Sequence, residues 1–156
     1  MARRSAGILL YRRAGAEPEV LLVHPGGPFW ARKDDGAWSI PKGEYRDDED
    51  PRAAALREFE EELGTAPPDD ADALLDLGEV RQRSGKVVTA YALEGDLDAS
   101  AITSNTFAME WPPRSGKTQE FPEVDRAGWF APAAARAKLV HAQAELVDRL
   151  LERLTA

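Results

Sequence analysis

The sequence predicts a mixed α/β fold organised as one domain over residues 1–156. Three observations lead there. Short β-compatible apolar runs lie on both sides of a capped, glutamate-rich helical stretch, a second stretch of helical hydrophobic spacing closes the chain, and the length suits one domain that buries about two-thirds of its unfolded surface. Apolar residues make up 43% of the chain, the composition of a globular protein.

The first elements read as a strand pair. Ala6 to Tyr11 (AGILLY) and Val20 to Val23 (VLLV) are short apolar runs separated by a charged turn at Arg12 to Glu19. His24 to Lys33 follows as a loop forced by Gly26, Gly27 and two prolines, with Phe29 and Trp30 at its tip. Those aromatics suit either a stacking surface for a base, with Arg32 and Lys33 meeting phosphates, or a plug for the hydrophobic core. His24 reads as a structural residue at a strand end. Ala37 to Lys42 (AWSIPK) reads as a brief strand that delivers the chain to Gly43.

The next helix is well marked. Asp50 can cap it, Pro51 fits the first helical position where no donor is needed, and Gly64 suits the left-handed residue beyond its end, which places the helix at 51–63. At about 100° per residue, Leu56, Phe59 and Leu63 share one arc, while Glu58, Glu61 and Glu62 share another. Like charges four residues apart repel, so a positive partner is expected on the acidic side. A hard divalent cation such as Mg²⁺ suits it, since that ion takes oxygen ligands and is commonly completed by substrate phosphates.

Beyond the helix, Ala66 to Asp72 is a polar loop containing prolines. Leu74 to Val80 and Lys86 to Leu93 form an expected hairpin, with Tyr91 in a core or cross-strand role. Ala101 to Glu123 is irregular, and long irregular loops are often functional. Arg114, Ser115 and Lys117 around Gly116 are candidate phosphate contacts, and Glu120 or Glu123 can supply a further metal ligand or base. Val124 to Phe130 brings a turn and a short strand. Pro132 then opens a final helix, in which Leu139, Val140, Leu146, Val147, Leu150, Leu151 and Leu154 follow helical spacing to pack on the sheet.

From Gly43 to Thr65 the chain resembles the Nudix hydrolase family. The resemblance rests on Gly43, Glu49, Arg57, Glu58, Glu61, Glu62 and Gly64 at the family's fixed spacing, with Phe59 as its apolar position; Thr65 departs from the usual aliphatic residue. It extends to Trp38, Ser39, Ile40 and Pro41-Lys42-Gly43, a form similar to members that act on nucleoside or dinucleoside polyphosphates. Lys42 can equally be a solvated lysine.

The resemblance implies an α/β/α sandwich with a mixed sheet, and a hydrolase that cleaves diphosphate linkages with Mg²⁺ or Mn²⁺. It further implies that Glu58, Glu61, Glu62 and the carbonyl of Lys42 hold metal, that Glu49 supports from outside, and that Arg57 orients a neighbouring glutamate. Glu61 or Glu62 can act as base. Because many members carry a glutamate shortly before a tryptophan, Glu123, six residues before Trp129, is preferred to Glu120.

The formal charge of −8 argues against a duplex nucleic-acid partner. Absence of cysteine excludes disulfides and thiol catalysis, no apolar run approaches a membrane span of about 18 residues, and the expected location is the cytoplasm. The expected function is hydrolysis of a small-molecule nucleotide substrate, a nucleoside triphosphate or dinucleoside polyphosphate, by a monomer or homodimer. The alternative is a nucleotide-binding regulatory module of the same fold.

Overall fold

The computed structural model describes residues 3–155. Among the described residues, eight strands and three α-helices follow in the order β1 (Arg4–Ala14), β2 (Glu17–Pro25), β3 (Lys42–Glu44), α1 (Pro51–Leu63), β4 (Leu75–Arg81), β5 (Val87–Glu94), β6 (Thr106–Glu110), β7 (Thr118–Pro122), β8 (Val124–Phe130), α2 (Pro132–Lys138) and α3 (Ala144–Thr155). The main sheet runs β4-β5-β1-β2-β8, with β3 pairing β1. β1 is parallel to β5 and antiparallel to β2 and β3, so the sheet is mixed.

Alternation along β1 decides the layers. Ala6, Ile8 and Leu10 join the core under α1, while Leu9 and Tyr11 join the core under α2 and α3. Both faces of the sheet are therefore covered, as the sandwich expectation requires. Among the described residues, no helix is long and apolar enough to cross a membrane.

Helix α1 occupies the predicted residues. Asp50 accepts from the Arg52 N–H at 3.1 Å, Pro51 opens the helix, and Gly64 closes it at φ 75° with its N–H on the Glu60 carbonyl. Ala54, Ala55, Phe59 and Leu63 are buried, and Leu56 packs at the edge of the same core. The Arg52 guanidinium donates to the carbonyls of Ala71 and Leu74 and covers the ring of Tyr91, which is itself in the core.

Three sequence expectations need correction. The AWSIPK stretch makes only isolated bridges at Trp38 and Ser39, and the regular strand begins at Lys42. Residues 106–122 are more regular than their composition suggests, since β6 and β7 form a separate two-stranded ribbon. The single C-terminal helix is broken in two.

That break has a clear cause. Trp38 donates its N–H to the Lys138 carbonyl and its own carbonyl accepts from Val140 N–H, which holds Leu139 extended beside Trp38. Leu139 remains buried, so the hydrophobic spacing continues through a segment that is not helical.

Candidate active site

Two glutamates of α1 reach β3, Glu58 at Gly43 and Glu62 at Lys42. β3 brings Gly43 beneath α1, and a Cβ built on Gly43 would lie 2.0 Å from the Glu58 carboxylate. Only glycine leaves that space. One turn further along α1, Glu62 turns back and accepts the Lys42 N–H at 3.2 Å. A guanidinium nitrogen of Arg57 lies 3.3 Å from Glu49 and 3.4 Å from Glu58, so one cation holds two carboxylates.

Crowding and burial show in the electrostatics. Burial, with Glu61 adding like-charge repulsion, raises the Glu58 carboxyl above the usual range, and burial pushes Glu62 up to about 8. Glu123 is raised for the same two reasons, burial first and Glu61 second. Lys42 is half-buried rather than freely solvated: burial holds its ammonium below the ordinary lysine value, helped by repulsion from Lys86.

Two cavities adjoin these groups. A small one of about 120 Å³ is lined by Val23, Ser39, Lys42, Glu62 and Glu123. A larger one of about 430 Å³ is lined by Trp30, Ser39, Lys42, Gln82, Arg83 and Gln143. Pro25, Ser39 and Lys42 belong to both. One cavity is acidic and the other is mainly apolar, with basic and amide groups on its wall.

Among the described residues, no three His, Cys, Asp or Glu side chains converge closely enough to hold an ion as they stand. The donor set nevertheless fits a hard cation. It is made of oxygens alone, burial and like-charge repulsion leave Glu58 and Glu62 short of compensating charge, and Arg57 engages Glu58 but not Glu62. A divalent ion would supply the missing positive charge.

The loop aromatics do not plug the core, because Phe29 is 66% exposed and Trp30 37% exposed. Trp30 lines the larger cavity, with the Lys33 ammonium 4.9 Å from its ring. Phe29 instead packs edge-on against Trp111 at the end of the β6–β7 ribbon. Arg32 is exposed on the loop, and Arg114 and Lys117 are exposed in the ribbon turn; none of the three lines either cavity. Glu120 lies exposed along β7, whereas Glu123 lines the acidic cavity.

Two buried polar residues complete the frame, His24 in the structural role its place at a strand end suggests and Gln143, which no local motif revealed. His24 is fully buried, with Nε2 2.6 Å from the Lys33 carbonyl and Nδ1 2.8 Å from Asp125, and so ties the loop down at both ends. Gln143 is also fully buried. Its one sequence signal is an amide on the apolar stripe defined by Leu139, Leu146 and Leu150, where a polar side chain needs a partner.

The architecture is that of an α/β/α sandwich carrying an acidic helix beside a glycine strand. The chain belongs to the Nudix family, whose NUDIX domain model matches residues 1–150. An RNA pyrophosphohydrolase of Alkalilimnicola ehrlichii is 42% identical over 52 residues, which are 32% of this chain and 29% of that protein. An RNA pyrophosphohydrolase of Gluconacetobacter diazotrophicus is 38% identical over 69 residues, 40% of this chain and 37% of that one. The matches thus span about a third of each relative.

Among solved structures, a binary complex of the C. elegans Ap4A hydrolase superposes with a TM-score of 0.66 at 20% identity, covering 99% of this chain and 98% of that one. The NUDIX domain of Shewanella oneidensis NrtR with ADP ribose gives 0.65 at 18% identity, covering 99% and 89%. At these identities the likeness shows the fold.

Proposed function

We propose that the chain, folded as one domain over residues 1–156, is a Mg²⁺-dependent hydrolase that cleaves the diphosphate linkage of a nucleoside polyphosphate, with Mn²⁺ as the alternative metal. The observation that carries this reading is the wall of Pro25, Ser39 and Lys42 common to the acidic and aromatic cavities. A nucleotide lying across it directs its phosphates toward Glu62 and Glu123 and its base toward Trp30.

Glu58, Glu61, Glu62 and the carbonyl of Lys42 are the oxygens that would hold the metal. When bound, the ion neutralises phosphate charge and lowers the pKa of a water for attack on phosphorus. Arg57 keeps Glu58 oriented through its ion pair. Glu123, whose carboxyl burial and the neighbouring Glu61 hold above the usual range, lines the acidic cavity and would serve as the base, with Glu61 or Glu62 as the alternative. The Lys42 ammonium meets phosphate oxygen, and Trp30 offers its face to the base.

Arg32 and Lys33 flank Trp30 and can meet further phosphates. Arg114, Lys117 and Phe29 line neither cavity and stand as contacts for a substrate longer than a mononucleotide, such as a dinucleoside polyphosphate. The absence of cysteine and the charge of −8 agree with a cytoplasmic enzyme, monomer or homodimer, that works on small nucleotides.

Anion-exchange analysis of products tests this, with and without Mg²⁺, over GTP, ATP, diadenosine tetraphosphate, ADP-ribose and a 5′-triphosphorylated oligoribonucleotide. Metal-dependent cleavage of a polyphosphate is expected, and the product pair identifies the bond. Tight binding without turnover of any of them would point to the regulatory module instead.

A further inference from the structure

The wall of the aromatic cavity is wired to one orientation. Gln143 Oε1 accepts the backbone N–H of Ile40 at 3.0 Å, and a backbone N–H can only donate, so the Gln143 amide cannot turn over. Its Nε2 must therefore face the other way, where it donates to Ser39 Oγ at 3.1 Å and to Gln82 Oε1 at 3.0 Å. With its oxygen facing that donor, Gln82 is oriented in turn: its Nε2 is turned away from Gln143, it makes no hydrogen bond to a protein acceptor among the described residues, and the residue lines the cavity.

Lys42 and Arg83 on the same wall offer only N–H donors. Ser39 Oγ accepts from Gln143 and donates to the Ile40 carbonyl at 2.7 Å, and Ser84 Oγ accepts the Lys86 N–H at 3.4 Å. Beside those two hydroxyls, Gln82, Lys42 and Arg83 present N–H donors to the cavity. Guanine shows two adjacent acceptors, O6 and N7, whereas adenine places an amino donor beside N7.

We infer that Gln143 is a positioning residue that locks Gln82 as a donor, and that this pair selects a 6-oxopurine nucleotide over a 6-aminopurine nucleotide. The inference rests on the reading that the aromatic cavity takes the base.

Calorimetric titration with GMP and with AMP tests it independently of turnover. Wild type should bind GMP about tenfold or more tightly than AMP, the effect of one satisfied against one opposed hydrogen bond. Gln82→Leu should bring the two affinities together. Gln82→Glu keeps an oxygen for Gln143 and turns another into the cavity, so the preference should reverse toward AMP. Gln143→Glu should shift the ratio in the same direction by letting Gln82 turn over, an effect that mere loss of packing would not produce.

Equal affinities in the wild type, no binding of either nucleotide, or a GMP preference that survives Gln82→Leu would overturn the inference. Should Gln143→Glu fail to fold, the two Gln82 variants decide. Selective GMP binding with no hydrolysis of GTP would leave the inference standing and remove the catalytic reading.

Discussion

The carboxylate of Glu58 occupies the space that a side chain at Gly43 would need, with Oε2 2.0 Å from where the Cβ would stand. The obstructing group is the end of a flexible side chain rather than backbone, so Gly43→Ala can be accommodated by swinging Glu58 away. We expect a folded protein with nearly unchanged melting temperature and a metal affinity lower by about 10- to 100-fold, the range seen when the support of a ligand is removed. Calorimetric titration with Mn²⁺ measures it.

Glu62 is a buried carboxylate kept close to Lys42 N–H, and its Gln replacement retains an oxygen for that bond. In EDTA, Glu62→Gln should melt no lower than the wild type, since it removes a carboxyl that burial holds away from its charged form. With Mg²⁺ added, only the wild type should gain stability, because a ligand stabilises the state that binds it. Melting curves of both proteins under both conditions check this.

His24 closes the loop that carries Trp30, through Lys33 on one side and Asp125 on the other. His24→Ala leaves a void and an unpaired carbonyl, at a cost of about 2–4 kcal/mol, or a melting temperature lower by about 5–15 °C. Trp30 would lose its fixed place on the cavity wall. Steady-state kinetics should show a raised KM with a smaller change in kcat.

Asp34 ties the same region to α2, accepting from Lys138 Nζ at 2.6 Å and from Trp38 Nε1 at 2.8 Å, and these partners hold its carboxyl below the usual aspartate range. A folded-state pKa below the unfolded one means that the ionised form is favoured by folding. The contribution is therefore complete above the unfolded value of about 3.9 and is lost as pH falls through the lower folded value. Urea midpoints of wild type and Asp34→Asn should differ at pH 7 and converge below about pH 3, and the gap should shrink in high salt because the pair is exposed.

Much of the fold was legible in local signals. The bounds of α1 follow from Asp50, Pro51 and Gly64, each of which acts through its own backbone neighbours, and the two faces of β1 follow from alternation. The broken C-terminal helix was not legible, because Leu139 is buried either way and the competing partner, Trp38, is a hundred residues distant in the chain. The β6–β7 ribbon was hidden for another reason: its residues are exposed or half-buried and none reaches the core, so the alternation of Phe107 and Met109 is only two residues long.

The acidic half of the candidate site was visible, since Glu58, Glu61 and Glu62 share one helix and Gly43 lies at fixed spacing from them. On the aromatic side Trp30 was visible as a loop aromatic, but its amide neighbours were not. Gln82 and Gln143 meet across 61 residues, and the Gln143 bond to Ile40 spans 103. No local period encodes such a pair, and only the amide on an apolar stripe hinted at it.

The central claim, that the motif glutamates and a divalent ion hydrolyse a nucleoside polyphosphate, is tested most directly by single-turnover cleavage of GTP in saturating Mg²⁺ by wild type, Glu61→Gln and Glu62→Gln. The account predicts rapid cleavage by the wild type, none in EDTA, and rates lower by about 10²–10⁴-fold in both variants, the scale of losing a catalytic proton-transfer or electrostatic group. Wild-type cleavage that persists in EDTA, or that both variants retain undiminished, would contradict it.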